Sequence, residues 1–109
     1  MEKSAVIKAL AALAHPLRLD IFRALIVAGP EGRTPGRLME DLGNIPSATM
    51  SFNLKELAAA GLVTQERASR NVVYRAAYER MNDVLGYLTD NCCAGQACAV
   101  GSLSTTCDC

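Results

Sequence analysis

Pro46-Ser47-Ala48-Thr49-Met50-Ser51-Phe52-Asn53-Leu54-Lys55-Glu56-Leu57, continuing through Gly61-Leu62-Val63 to Arg70-Asn71-Val72-Val73-Tyr74-Arg75, is the stretch that decides the fold. Met50, Leu54, Leu57 and Ala58 fall at i, i+4, i+7 and i+8, which places them on one apolar stripe of a helix. Ser47, Ser51 and Lys55, at i, i+4 and i+8, form a polar stripe on another side. The helix should end at Gly61. The residues beyond it, rich in β-branched side chains and broken by a basic turn, predict two strands over Leu62–Arg67 and Val72–Ala77. Ala68-Ser69-Arg70-Asn71 is the expected turn, with Asn71 suited to a positive φ.

Upstream, residues 3–14 place Val6, Leu10, Leu13 and Ala14 on one face of a first helix, which suits either a core element or a dimer element. His15-Pro16 ends it and opens a second helix, because proline suits the first helical position. Leu17, Ile21, Leu25 and Ala28 form its expected buried stripe, with Arg18, Asp20 and Arg23 outside, and Gly29-Pro30-Glu31-Gly32 terminates it. Thr34-Pro35 supplies an N-cap and first-turn proline for a third helix with Leu38, Met39 and Leu42 inward. Gly43-Asn44-Ile45 is then a tight turn into the helix at Pro46. Two short helices joined by such a turn carry the helix-turn-helix signature. Beyond the hairpin, Met81, Val84, Leu85 and Leu88 share a face of a last helix that runs out near Asn91. The expected fold is mainly α with a small β-hairpin: a winged helix-turn-helix of about five helices and a two-stranded wing. Residues 1–91 make the domain and residues 92–109 a cysteine-rich tail.

A chain of 109 residues builds one domain with a modest core. Eleven basic residues balance eleven acidic ones, so whole-chain charge says nothing for nucleic acid. Residues 46–75, however, hold Lys55, Arg67, Arg70 and Arg75 against Glu56 and Glu66, a local net charge of +2. Apolar runs fall far short of a membrane span, and Glu2-Lys3 lead straight into an amphipathic pattern rather than a signal peptide. The expected location is the cytoplasm, where thiols stay reduced.

Ser47, Thr49, Ser51, Asn53 and Lys55 are short polar or cationic groups on the first turns of the central helix. Hydroxyls at a helix N-terminus suit phosphate, and asparagine can pair with adenine N6 and N7. Arg70, at the hairpin tip, suits a phosphate or the minor groove. Each taken singly fits a solvated residue or a cap better than a DNA contact. Their order, helix, turn, helix and then a hairpin with arginine at its tip, favours DNA.

Four segments then resemble a known family in sequence order. They are Ala12-Leu13-Ala14-His15-Pro16-Leu17-Arg18-Leu19-Asp20-Ile21, Ser47–Leu57, Ala60-Gly61-Leu62-Val63 and Arg70–Arg75, and the resemblance covers roughly residues 5–91. The family is ArsR, the arsenic-repressor type. Its members are homodimeric winged-helix repressors that release operator DNA on binding a metal or metalloid. The resemblance implies a near-palindromic operator, a homodimer built through the first and last helices, and no organic cofactor or membrane. Two departures stand out. Asn53 occupies a position where relatives often carry histidine. The third helix also lacks the cysteine pair that many members use for arsenite.

All five cysteines, Cys92, Cys93, Cys98, Cys107 and Cys109, lie in the last 18 residues, a clustering that indicates a thiol site on an otherwise complete domain. Cys92, Cys93 and Cys98 can supply three thiolates if the chain turns at Gly95. Three soft ligands suit trivalent arsenic as arsenite, or antimony as antimonite, both pyramidal and thiophilic. Cys107 and Cys109 are accessory candidates. With a fourth thiolate from that pair, zinc or cadmium remains open, as does a redox switch between neighbouring thiols. A metal-buffering protein whose winged helix binds another protein is a further alternative. An enzyme fits worst. His15, the sole histidine, lies far along the chain from every cysteine and suits a structural role, and no Gly-rich phosphate loop is present.

Overall fold

The computed structural model describes residues 1–90. Five helices, α1 (Lys3–Leu13), α2 (Pro16–Ala28), α3 (Pro35–Asp41), α4 (Ser47–Ala59) and α5 (Tyr78–Thr89), enclose one core. A single 3-10 turn, Gly29–Glu31, follows α2, and one antiparallel pair, β1 (Val63–Ala68) and β2 (Asn71–Ala76), separates α4 from α5. This is the expected winged helix-turn-helix with a two-stranded wing.

The core is built where the stripes on α2, α3 and α4 meet. Ile21, Leu25, Leu38, Met50, Leu54 and Leu57 are all buried, and Leu62 and Val84 close the ends. Phe22, which the stripe of α2 did not include, is buried as well. The inward face of α1 differs from the expected one. Val6, Ala9 and Ala12 are buried while Leu10 is exposed. Alanines let α1 lie close against α2 and α4, and the larger Leu10 and Ile7 then fall on the outer side. On α5 the expected face is divided in the same way. Val84 is buried and Met81 packs on the core, but Leu85 and Leu88 point out.

At its C-terminus α4 closes with a Schellman arrangement. The Leu62 amide donates to the Leu57 carbonyl at 3.0 Å and the Gly61 amide to that of Ala58 at 3.0 Å, with Gly61 at φ 77°. A Cβ on Gly61 would lie 2.9 Å from Arg80 Nε, so the guanidinium of α5 rests directly on this turn.

In the hairpin, Val63 pairs with Ala76 and Ala68 with Asn71. The strands therefore reach one residue closer to the tip than expected, leaving Ser69-Arg70 as the turn. Because Asn71 is taken into the ladder, the positive φ falls on Ser69, at 59°, and not on Asn71. The wing is tied to the body by Arg33, whose amide and carbonyl bond those of Tyr74 at 2.9 and 2.8 Å. Gly32, next to this bridge, sits at φ 69°, and a Cβ there would come 2.5 Å from the Tyr74 carbonyl oxygen. Arg75 adds a second tie, donating to the Pro30 carbonyl at 2.7 Å and to Glu66 at 3.0 Å.

Gly32→Ala should lower stability by about 2 kcal/mol or more, because a left-handed residue and an overpacked contact each cost about 1–3 kcal/mol. Gly36→Ala, where nothing stands within 4 Å, should be neutral or slightly stabilising. Urea titrations of both variants check the contrast.

Candidate nucleic-acid interface

Thr34 caps α3, its hydroxyl accepting the Arg37 amide at 3.3 Å, and Pro35 occupies the first turn as expected. The turn to α4 passes through two left-handed residues, Gly43 at φ 94° and Asn44 at φ 60°. It is held by the Ile45 amide, which donates to the Met39 carbonyl at 3.1 Å. Gly43 has no Cβ to strain, and asparagine tolerates that region better than most residues.

Pro46 stands at the N-cap of α4 and no side chain caps the helix. The Ser47 hydroxyl is therefore not spent on a cap. The first amides of α4 stay open at the positive end of the helix dipole, where a phosphate oxygen binds well. Ser47, Ala48, Thr49, Ser51, Phe52 and Lys55 are exposed around this outer side. Arg70 is exposed at the hairpin tip, as expected. Arg67, on β1, is exposed too, a cation the sequence reading counted but did not select. Its position in the wing was the available signal. Arg75, by contrast, is engaged with Pro30 and Glu66. The outward positive charge of this surface is carried by Lys55, Arg67 and Arg70.

Asn53 requires a correction. It is 4% exposed and faces inward between Met50 and Leu57, away from the outer side of α4. Its Oδ1 accepts from Arg18 Nε at 3.0 Å and its Nδ2 donates to the Thr49 carbonyl at 2.8 Å. Both ends of the amide are thus occupied, and the side chain has nothing to offer a base edge in this arrangement. Arg18 is likewise not the free surface cation expected of it. It is half-buried and bridges α2 to α4. Position 53 lies three residues after Met50 and four before Leu57, on the buried face of the helix, and that spacing is the sequence signal for an inward side chain.

His15 is exposed at the N-cap of α2 with no side-chain capping bond, and its carbonyl accepts the Leu19 amide at 2.9 Å. Cys92, Cys93, Cys98, Cys107 and Cys109 lie outside the described residues. Among the described residues no three His, Cys, Asp or Glu side chains converge as a metal site, and no helix is long and apolar enough to cross a membrane.

Asn53→Ala should cost about 1–3 kcal/mol, since Arg18 loses its acceptor in a half-buried place. Arg18→Ala should cost a similar amount. Because the two side chains share one bond, the double variant should lose clearly less than the two single losses together. Additivity to within about 0.5 kcal/mol in denaturant titrations would show that it contributes nothing.

Comparison with known proteins agrees with this geometry. Residues 13–66 match the family model described as a helix-turn-helix domain. No curated protein sequence matches the chain. Among solved structures, the chain is similar to the transcriptional repressor BigR from Xylella fastidiosa, at 29% identity and a TM-score of 0.59 over 77% of this chain and 83% of that one. It is also similar to the homodimeric winged helix-turn-helix DNA-binding domain of Mb0332 from Mycobacterium bovis, at 26% identity and a TM-score of 0.64 over 87% of each chain. An ArsR-like transcriptional regulator from Rhodococcus sp. RHA1 shares the fold with a TM-score of 0.71 at 23% identity, over 84% of this chain and 82% of that one. The open N-terminus of α4, the α3–turn–α4 unit and the adjoining hairpin are thus parts of a helix-turn-helix domain of the winged type.

Proposed function

We propose that the chain is a homodimeric, cytoplasmic transcriptional repressor of the ArsR type. It holds a near-palindromic operator and releases it when Cys92, Cys93 and Cys98 bind trivalent arsenic or antimony. The observation that carries the DNA half is the uncapped start of α4, presented with Ser47, Thr49, Ser51 and Lys55 exposed beside a wing bearing Arg67 and Arg70. A helix placed so enters the major groove, with its amides and hydroxyls on phosphates and the wing on the flanking backbone.

Dimerisation is supported by the outer faces of α1 and α5. Ile7 is 56% exposed, Leu10 41%, Leu85 48% and Leu88 56%, on two helices packed against each other. Apolar side chains gathered on adjoining helices suit a two-fold interface, in which each copy covers the other. The similar Mb0332 domain is homodimeric.

The ligand half rests on donor chemistry. Three thiolates at Cys92, Cys93 and Cys98 fit a trivalent thiophilic ion better than four-coordinate zinc, although Cys107 or Cys109 could complete a zinc or cadmium set. The route to the reader is short. Helix α5 ends at Thr89, three residues before Cys92, and its Arg80 lies on the Gly61 turn that ends α4. A shift of α5 in the dimer would alter the spacing of the two copies of α4. A coupling of about 1–3 kcal/mol corresponds to roughly 5- to 150-fold in operator affinity.

Titrating arsenite into reduced full-length protein on its operator should release the DNA while protecting three thiols per chain. The triple serine variant of Cys92, Cys93 and Cys98 should bind DNA like the parent and ignore arsenite. Unchanged affinity of the parent under arsenite would refute the switch. Release only by zinc or cadmium, with four thiols protected, would establish the other ligand set.

A further inference from the structure

Phe52 is the one large apolar side chain on the exposed side of α4. It is 56% exposed and takes no part in the core cluster, although its neighbours Asn53 and Leu54 are buried. A single exposed aromatic is ordinary on a protein surface. Its setting makes this one informative. Ala48, one turn earlier on the same row, and Ser51, beside it, are short and exposed, so the ring stands clear of these neighbours. The amide that would have read an adenine edge from this helix, Asn53, is turned inward and fully bonded. The outer side is therefore left with small hydroxyls, Lys55 and an aromatic ring.

A phenyl ring can neither donate to nor accept from a base edge. The major groove offers it one apolar partner, the 5-methyl group of thymine. We infer that Phe52 is a specificity-determining residue that packs on a thymine 5-methyl in each half-site. Sequence preference then comes from apolar contact, with Ser47, Ser51 and Lys55 positioning the helix. The inference rests on the operator-binding function proposed above. On that function it adds which chemical group of the DNA is read and by which side chain.

The test uses the full-length chain and a duplex that it selects from a random library. Replacing thymines of that duplex by deoxyuridine removes only the methyl groups. At one half-site position, parent affinity should fall about fourfold, the worth of one buried methyl of about 0.8 kcal/mol. Phe52→Ala should bind the thymine duplex more weakly but be indifferent to the same replacement. Its melting temperature should match the parent's, because the ring is exposed. If the selected duplex binds equally well with every thymine replaced, or if Phe52→Ala keeps the parent's full sensitivity, the assignment is wrong while the operator-binding function stands. If the chain enriches no sequence at all, both fall.

Discussion

The angle at which α4 stands on the body depends on a buried amide. Asn53 lies among Met50, Leu54 and Leu57, where an unbonded polar group would cost about 1–3 kcal/mol. It is accommodated because Arg18 of α2 donates to one end and the Thr49 carbonyl accepts from the other. The apolar stripes bring α2 and α4 together, but such contacts tolerate small rotations. A bond between a guanidinium and a fixed amide adds a directional constraint, because it weakens steeply once the donor angle falls below about 120°. With Asn53 held inward, the helical period fixes what points outward: Ser47, Ser51, Lys55 and the neighbouring Phe52. The outer side is what the buried Met50, Leu54 and Leu57 stripe and the Arg18–Asn53 bond together leave exposed.

A second constraint acts on the wing. Two strands alone are marginal in water. Here the hairpin gains the Arg33–Tyr74 bridge, made possible by the close approach at Gly32, and the double engagement of Arg75. These ties hold the hairpin beside α4 while Arg67 and Arg70 remain exposed. The chain carries no net charge, yet fields at a surface are local, screened beyond about 8 Å at physiological ionic strength. A few outward cations at the reader suffice to face a phosphate backbone.

Much of this was legible from residue spacing. The stripe Met50, Leu54, Leu57, the breakers at Gly29–Gly32, the cap at Thr34 and the hairpin around Arg70 all appear where periodicity and turn chemistry place them. The misreadings share a physical cause. Periodicity ranks positions by side-chain apolarity, so it places Leu10 inward on α1, whereas the close approach of the helices selects Ala9 and Ala12. On α4 the polar character of Asn53 suggests an outward side chain, although its spacing from Met50 and Leu57 places it inward. A partner 35 residues away, Arg18, makes that burial tolerable, and no local pattern reveals such a bond. Ser69 took the positive φ because strand pairing reached Asn71, again a decision of the partner strand.

In the proposed function, two copies of α4 set by two-fold symmetry read successive turns of one face of DNA. Hydroxyl-radical footprinting of the full-length protein on the duplex it selects measures this directly. Two protected patches are expected on the same face, centred about 34–36 Å or 10–10.5 base pairs apart, with a lighter flank on each side from the wings. A single patch, or uniform protection with no helical phase, would contradict it.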